Sequence, residues 1–98
     1  MRVAKEGTEI NERFFQALQK LKEDKRIRGL LTFTKAHEIN YWNITTVKNM
    51  PYTSTLKPEW IYYLVMDYGV SADWIITGRG DFYSGKEKPT EVKTPSPQ

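Results

Sequence analysis

The chain has 98 residues, 39% of them hydrophobic and 13% aromatic, which is enough for one hydrophobic core and not for a second. It contains no cysteine, which excludes a disulfide framework and a thiolate zinc site. No apolar run approaches the ~20 residues that a membrane-spanning helix needs. We therefore expect one small domain located in the cytoplasm.

The formal charge of +3 is unevenly distributed. Between Lys20 and Lys48 seven basic residues stand against three acidic ones, whereas between Lys57 and Tyr83 two basic residues stand against four acidic ones. A basic first half suggests one face directed at a polyanion, and nucleic acid is the usual candidate. The alternative is that the basic run up to Arg28 is only a solvated helix end and loop.

Helical periodicity predicts the first elements in chain order. Residues 1–9 are expected to be a flexible lead, and the apolar stripe that starts at Ile10 predicts a first helix. A second helix is predicted from about Leu30 to His37, although the β-branched Thr32 and Thr34 are poor helix formers and make it depend on tertiary packing.

Capping and stop signals define the next two helices. Asn40 is a good N-cap for a third helix from Tyr41 to about Asn49, which Pro51 stops. Pro58 suits the first position of a fourth helix. We expect the buried face of this helix to comprise Ile61, Leu64, Val65 and Tyr68.

The segment 68–80 contains a helix stop, a new start and a second stop. Gly69 can end the fourth helix with a positive φ, Ser71 can cap a fifth helix, and Gly78 and Gly80 can close it. No segment favours a strand, so the sequence predicts an all-α bundle of five helices over residues 10–83. The polar, proline-bearing stretch 84–98 is expected to be a disordered tail.

Two stretches resemble the lambda-repressor-like helix-turn-helix family, as found in bacterial and phage regulators. Residues 70–78, Val-Ser-Ala-Asp-Trp-Ile-Ile-Thr-Gly, are similar to its closing helix. Residues 39–49 are similar to its turn and recognition helix, with Ile39 at the apolar turn position, Asn40 as the cap, and Ile44 and Val47 at the buried positions. The resemblance covers roughly residues 10–80. It implies a compact helix-turn-helix bundle that binds double-stranded DNA sequence-specifically as a transcriptional regulator.

The second helix and the turn depart from the family pattern. Leu30, Thr34, His37 and Glu38 stand where the family usually has glutamine, alanine, leucine and glycine. Loss of the glutamine removes a contact to phosphate or base, and Glu38 at a glycine position implies either strain or a different turn. The match to the fold is therefore stronger than the match to the DNA-binding surface.

The resemblance assigns roles to residues of and around the third helix. Tyr41, Trp42, Thr45 and Thr46 would contact bases, and Arg28, Lys35, Asn43, Lys48 and Asn49 would contact or approach phosphates. The second hypothesis is a protein-interaction module on the same scaffold, in which Trp42 and Tyr41 are anchors for a protein partner.

The aromatic residues of the fourth helix suggest a homodimer. Trp60 and Tyr63 lie partly off the predicted buried stripe, so they are candidate dimer contacts; the alternative is that Trp60 closes the bundle over Phe33 or Phe82. His37, the single histidine, is expected to replace an apolar core residue and to have a hydrogen-bonded ring.

Enzymatic chemistry finds no support in the sequence. It has no P-loop, no dinucleotide-binding glycine motif and no paired carboxylates with a positioned base. We expect no cofactor, no metal and no small-molecule substrate, and we expect no enzymatic activity.

Overall fold

The computed structural model describes residues 3–84. Over this range the chain is helical, and its pairing of extended backbone is limited to one isolated antiparallel bridge between Val70 and Tyr83. The elements are α1 (Lys5–Glu23), α2 (Leu30–Ala36), α3 (Tyr41–Asn49), α4 (Pro58–Tyr68) and α5 (Ala72–Thr77). The all-α class and the number of helices are as the sequence predicts.

The first helix begins earlier than the sequence suggested. It starts at Lys5 rather than at Ile10, so residues 5–9 belong to α1 and not to a flexible lead. A tertiary contact explains the difference: the backbone N–H of Val3 donates to the carbonyl of Tyr52, 2.8 Å away, and fixes the start of the helix. The buried stripe of α1 follows the predicted spacing, and comprises Asn11, Phe14, Ala17, Leu18 and Leu21.

The turn between α2 and α3 has the strained conformation that the sequence raised as one possibility. Glu38 has a φ of 55°, in the left-handed region that glycine usually occupies. The N–H of Ile39 donates to the carbonyl of Thr34 at 2.9 Å, which is the long hydrogen bond of a Schellman motif. Glu38 therefore occupies the position at which this motif favours glycine.

The closing segment confirms the predicted start and stop signals. Gly69 and Gly78 have φ values of 73° and 77° and end α4 and α5. The Ser71 hydroxyl accepts a hydrogen bond from the N–H of Trp74 and caps α5. The N–H of Ser84, the first residue of the expected tail, donates to the carbonyl of Gly69 at 2.8 Å. The rest of that expected tail lies outside the described residues.

The packing of α4 differs from the expected orientation. Trp60 is only 3% exposed, and its ring centroid lies 6.0 Å from that of Phe14 in α1. Leu64 is also buried, whereas Ile61, Val65 and Tyr68 are half-buried. The prediction of Trp60 as a dimer contact is therefore wrong, because α4 turns this side chain toward α1. The alternative, that Trp60 closes the bundle, is confirmed, but the ring against which it packs is Phe14 and not the suggested Phe33 or Phe82.

One core connects all five helices. Phe14 and Phe33 pack with ring centroids 6.0 Å apart and join α1 to α2. Among the described residues, no helix combines the length and the apolar character that crossing a bilayer requires. The buried apolar side chains are Phe14, Ala17, Leu18, Leu21, Ile27, Phe33, Ile44, Val47, Trp60, Leu64, Val70 and Ile75.

Candidate nucleic-acid interface

The rotation of α3 about its axis is fixed by two apolar side chains. Ile44 and Val47 are 0% and 4% exposed and pack into the core, as the sequence predicts. The opposite side of the helix then faces solvent, because side chains three, four and seven residues apart share a helix face. We call this side the α3 outer face; its residues are Trp42, Thr45, Thr46 and Asn49.

The start of α3 is defined by a side-chain cap. The Oδ1 atom of Asn40 accepts hydrogen bonds from the N–H groups of Trp42, at 2.8 Å, and Asn43, at 3.1 Å. These contacts satisfy two of the backbone donors that a helix N-terminus leaves unpaired. The cap therefore determines where the outer face begins.

The two threonines of the outer face bond to the same carbonyl group. The hydroxyls of Thr45 and Thr46 both donate to the backbone oxygen of Trp42, at 3.1 and 2.8 Å. Each hydroxyl proton is then used within the helix. What these side chains can offer to a ligand is a methyl group and the lone pairs of the hydroxyl oxygen.

Two aromatic side chains stand at the head of α3. Trp42 is 75% exposed and Tyr41 38% exposed, and their rings meet edge to face with centroids 5.7 Å apart. Because most of the Trp42 side chain is in solvent, it contributes little to the stability of the fold and is accessible to a binding partner.

The candidate phosphate contacts are all exposed: Arg28, Lys35, Asn43, Lys48 and Asn49. Lys48 lies on the α1 side of α3, where it borders a cavity of about 90 Å³ with Phe15, Leu18 and Leu30. Arg28 precedes α2 in the loop that follows α1, and Lys35 is in the last turn of α2. None of these three cations lies on the α3 outer face; Arg28 and Lys35 precede α3 along the chain, and Lys48 lies on its α1 side.

His37 connects the turn to α4. Its Nδ1 atom donates to the carbonyl of Phe33 at 3.0 Å, and its Nε2 atom lies 2.7 Å from a carboxylate oxygen of Asp67. The imidazole stacks on the ring of Tyr63 with centroids 4.4 Å apart. The expectation of a hydrogen-bonded ring is confirmed, and the side chain is 8% exposed although the residue as a whole is half-buried. Tyr63 is half-buried by this stacking, so the exposed aromatic pair predicted for a dimer contact is not formed.

Two polar residues of α1 hold distant parts of the fold, and no sequence pattern predicted either contact. Asn11 is 1% exposed, and its Nδ2 atom donates to the carbonyls of Pro51 and Ser54 in the loop between α3 and α4. Arg13 donates to the carbonyls of Ile75 and Ile76, at 2.6 and 2.8 Å, and so places a cation at the C-terminus of α5. The available signal was Asn11 itself, a polar residue on the apolar stripe of α1.

A second polar cluster joins the end of α1 to the last described residues. The Tyr83 hydroxyl donates to a carboxylate oxygen of Asp24 at 2.6 Å, and the Arg26 guanidinium lies 5.6 Å from the centre of the Tyr83 ring. Burial, and then the hydrogen bond to Asp24, raise the pKa of Tyr83. Burial, and then the negative charge of Asp67, raise the pKa of Tyr68.

The candidate site consists of solvent-facing side chains on the surface of α3. Within residues 3–84 no group of three or more His, Asp or Glu side chains is arranged to hold a metal ion. The chain matched no family model, and no curated protein or solved structure proved significantly similar to it.

Proposed function

We propose that this protein binds double-stranded DNA as a transcriptional regulator of the lambda-repressor-like helix-turn-helix type, with α3 in the major groove. The observation that carries the proposal is the α2–α3 pair. It consists of two short helices joined by residues 37–40, and the second presents a polar, solvent-facing side that carries no carboxylate. This is the arrangement by which a helix can contact base edges while its neighbour lies across the backbone.

The charges around α3 favour a polyanionic partner. From Lys25 to Lys57 the sequence contains six basic residues and one acidic residue, Glu38. All six cations are exposed, but Arg26 donates to the carbonyl of Tyr68, so the other five are the candidate contacts to phosphate oxygens. The acidic residues of α4 and α5 lie outside this part of the chain. The polar outer face would then contact bases, and the flanking cations would hold the helix in register.

A binding assay with duplex DNA at two salt concentrations tests the proposal. Affinity should fall steeply between about 50 mM and about 200 mM salt, because phosphate contacts release counterions. Lys35→Ala and Lys48→Ala should each weaken binding to any duplex and reduce the slope of log K against log salt by about 1. Arg79→Ala, which removes the same charge beyond α5, is the matched control and should leave the slope unchanged. Absence of binding at low salt, or binding indifferent to salt, would contradict the proposal.

The exposure of Trp42 favours a second candidate, a protein-interaction module. Trp and Tyr dominate the hot spots of protein interfaces, and Trp42 with Tyr41 forms an aromatic pair at the head of α3. The two candidates differ in what Trp42→Ala does. A protein-binding role predicts loss of the partner with no effect of Lys35→Ala, whereas DNA binding predicts that both variants bind DNA more weakly.

A further inference from the structure

We propose that the α3 outer face discriminates A·T from G·C base pairs in the major groove; this inference rests on the proposed DNA-binding function and specifies its ligand. The face offers one indole, two threonines and one carboxamide, and none of these four side chains is charged. Its donors and acceptors therefore decide which base edges it can pair with.

Guanine recognition lacks its usual donors on this face. The commonest specific contact to guanine is an arginine or lysine that donates to O6 and N7. The one cation of α3 is Lys48, and it borders the cavity beside Phe15 and Leu18 on the α1 side of the helix. No guanidinium or ammonium group projects from the outer face itself.

The threonines supply acceptors and methyl groups in place of donors. The hydroxyl protons of Thr45 and Thr46 are both directed to the Trp42 carbonyl, so the hydroxyl oxygens can only accept from a base. In the major groove the A·T pair presents an adenine amino group, which donates, and a thymine methyl group, which is apolar. The G·C pair presents a cytosine amino group, which also donates, but no methyl group, and each pair presents two acceptors. The threonine oxygens can therefore accept from either pair, and the threonine methyls are what favour A·T.

The remaining residues of the face suit the same base pair. The Trp42 ring and the threonine methyls can pack against thymine methyls, and the Asn49 carboxamide can donate to N7 and accept from N6 of adenine. An A·T pair therefore offers a methyl group to the apolar groups of the face and an acceptor beside a donor to the carboxamide. A G·C pair has no methyl group, and its guanine edge presents two acceptors to the carboxamide. The contacts that the face makes with A·T and the groups that G·C leaves without a partner both favour A·T.

Four duplexes of equal length and differing base composition test the inference. They contain alternating A·T pairs, alternating G·C pairs, A·U pairs that lack the thymine methyl, and I·C pairs. The I·C duplex has the major-groove pattern of G·C and the minor-groove pattern of A·T. Measured by fluorescence anisotropy at one salt concentration, A·T should bind tightest, by about fivefold or more over G·C and I·C, with A·U between them.

Two variants separate the methyl contact from the carboxamide contact. Thr46→Ser removes the methyl and should reduce the preference for A·T over A·U. Asn49→Ala removes the carboxamide and should reduce the preference for A·U over G·C. Thr46 and Asn49 are both exposed, and urea unfolding of both variants checks that the fold is retained.

The outcomes separate this inference from the proposed function. Equal binding to all four duplexes, or equal binding to A·T and I·C, overturns the A·T preference and leaves DNA binding standing. Failure to bind any of the four at low salt overturns the proposed function itself.

Discussion

Asn11 of α1 donates a hydrogen bond of 2.7 Å from its Nδ2 atom to the carbonyl of Ser54, in the loop between α3 and α4. The same Nδ2 atom donates to Pro51 at 3.0 Å, and Oδ1 accepts from the N–H of Leu56 at 3.4 Å. One buried carboxamide thus satisfies three backbone groups of a loop that has no regular structure. The loop determines where α3 ends and α4 begins. By fixing this loop, Asn11 helps to hold α3, which carries the candidate interface, in position.

Asn11→Ala should destabilise the protein by about 2–3 kcal/mol, because it leaves two carbonyls and one N–H without their protein partner. Asn11→Asp should cost at least as much, since a carboxylate would lie against two carbonyl oxygens. Urea unfolding followed by circular dichroism measures both. A cost of Asn11→Asp well below that of Asn11→Ala would contradict the assigned hydrogen bonds.

Truncation of the tryptophans on α3 and α4 should change the stability of the protein by very different amounts. Trp60→Ala removes a ring that is 3% exposed and should cost about 3–5 kcal/mol of stability. Trp42→Ala removes one that is 75% exposed and should change stability by about 0.5 kcal/mol or less. Chemical denaturation of the two variants side by side makes the comparison. A large loss at Trp42 would show that its ring packs in the fold rather than facing a partner.

Glu38→Gly should stabilise the protein by about 1 kcal/mol, because Glu38 has a φ of 55° in a Schellman motif that favours glycine. Glu38→Ala is the matched control, as it removes the same charge but keeps a Cβ atom at a positive φ. The midpoint of urea unfolding should rise for glycine and not for alanine. An equal rise for both would attribute the effect to charge rather than to backbone strain.

Alkaline pH should destabilise the fold through Tyr83 and Tyr68, whose pKa values are raised above the ordinary 10.0. A raised pKa in the folded state means that the neutral phenol is favoured there. The stabilisation is fully present below pH 10 and is lost as the pH rises through the folded-state pKa values. Spectrophotometric titration should find that Tyr68 and Tyr83 ionise above pH 10.

The Tyr83 contribution can be isolated with two variants. Tyr83→Phe should remove one late-ionising group from the titration. Asp24→Asn should reduce the upward shift in the pKa of Tyr83 but not abolish it, because burial is the larger cause and remains. Ionisation of Tyr83 with the ordinary pKa of 10.0 in the folded protein is the result that would count against the Tyr83–Asp24 hydrogen bond.

Most helix boundaries were predictable because local chemistry sets them. Asn40 and Ser71 cap α3 and α5, Pro58 begins α4, and Gly69 and Gly78 end α4 and α5, all as the sequence indicates. Each of these signals acts within one helical turn, so no distant contact is needed to recognise it. The start of α1 was missed because it depends on a hydrogen bond between Val3 and Tyr52, far along the chain.

The candidate site was only partly predictable for the same reason. The sequence placed Trp42, Thr45 and Thr46 on α3, and the buried Ile44 and Val47 were enough to orient them. It could not show that both threonine hydroxyls donate to one carbonyl, since side-chain torsions choose among several local acceptors. Nor could it reveal Asn11 as the support of the loop, because that contact joins residues more than forty positions apart.

The sequence by itself determined that this protein is a bundle of five helices, because helix caps, helix stops and apolar spacing depend on residues close together in the chain. Tertiary structure alone decided which aromatic rings are buried. On a helix as short as α4, several faces carry apolar side chains, and only packing against Phe14 and His37 selects the side of Trp60 and Tyr63 for the interior. The same packing leaves Trp42 75% exposed on the α3 outer face.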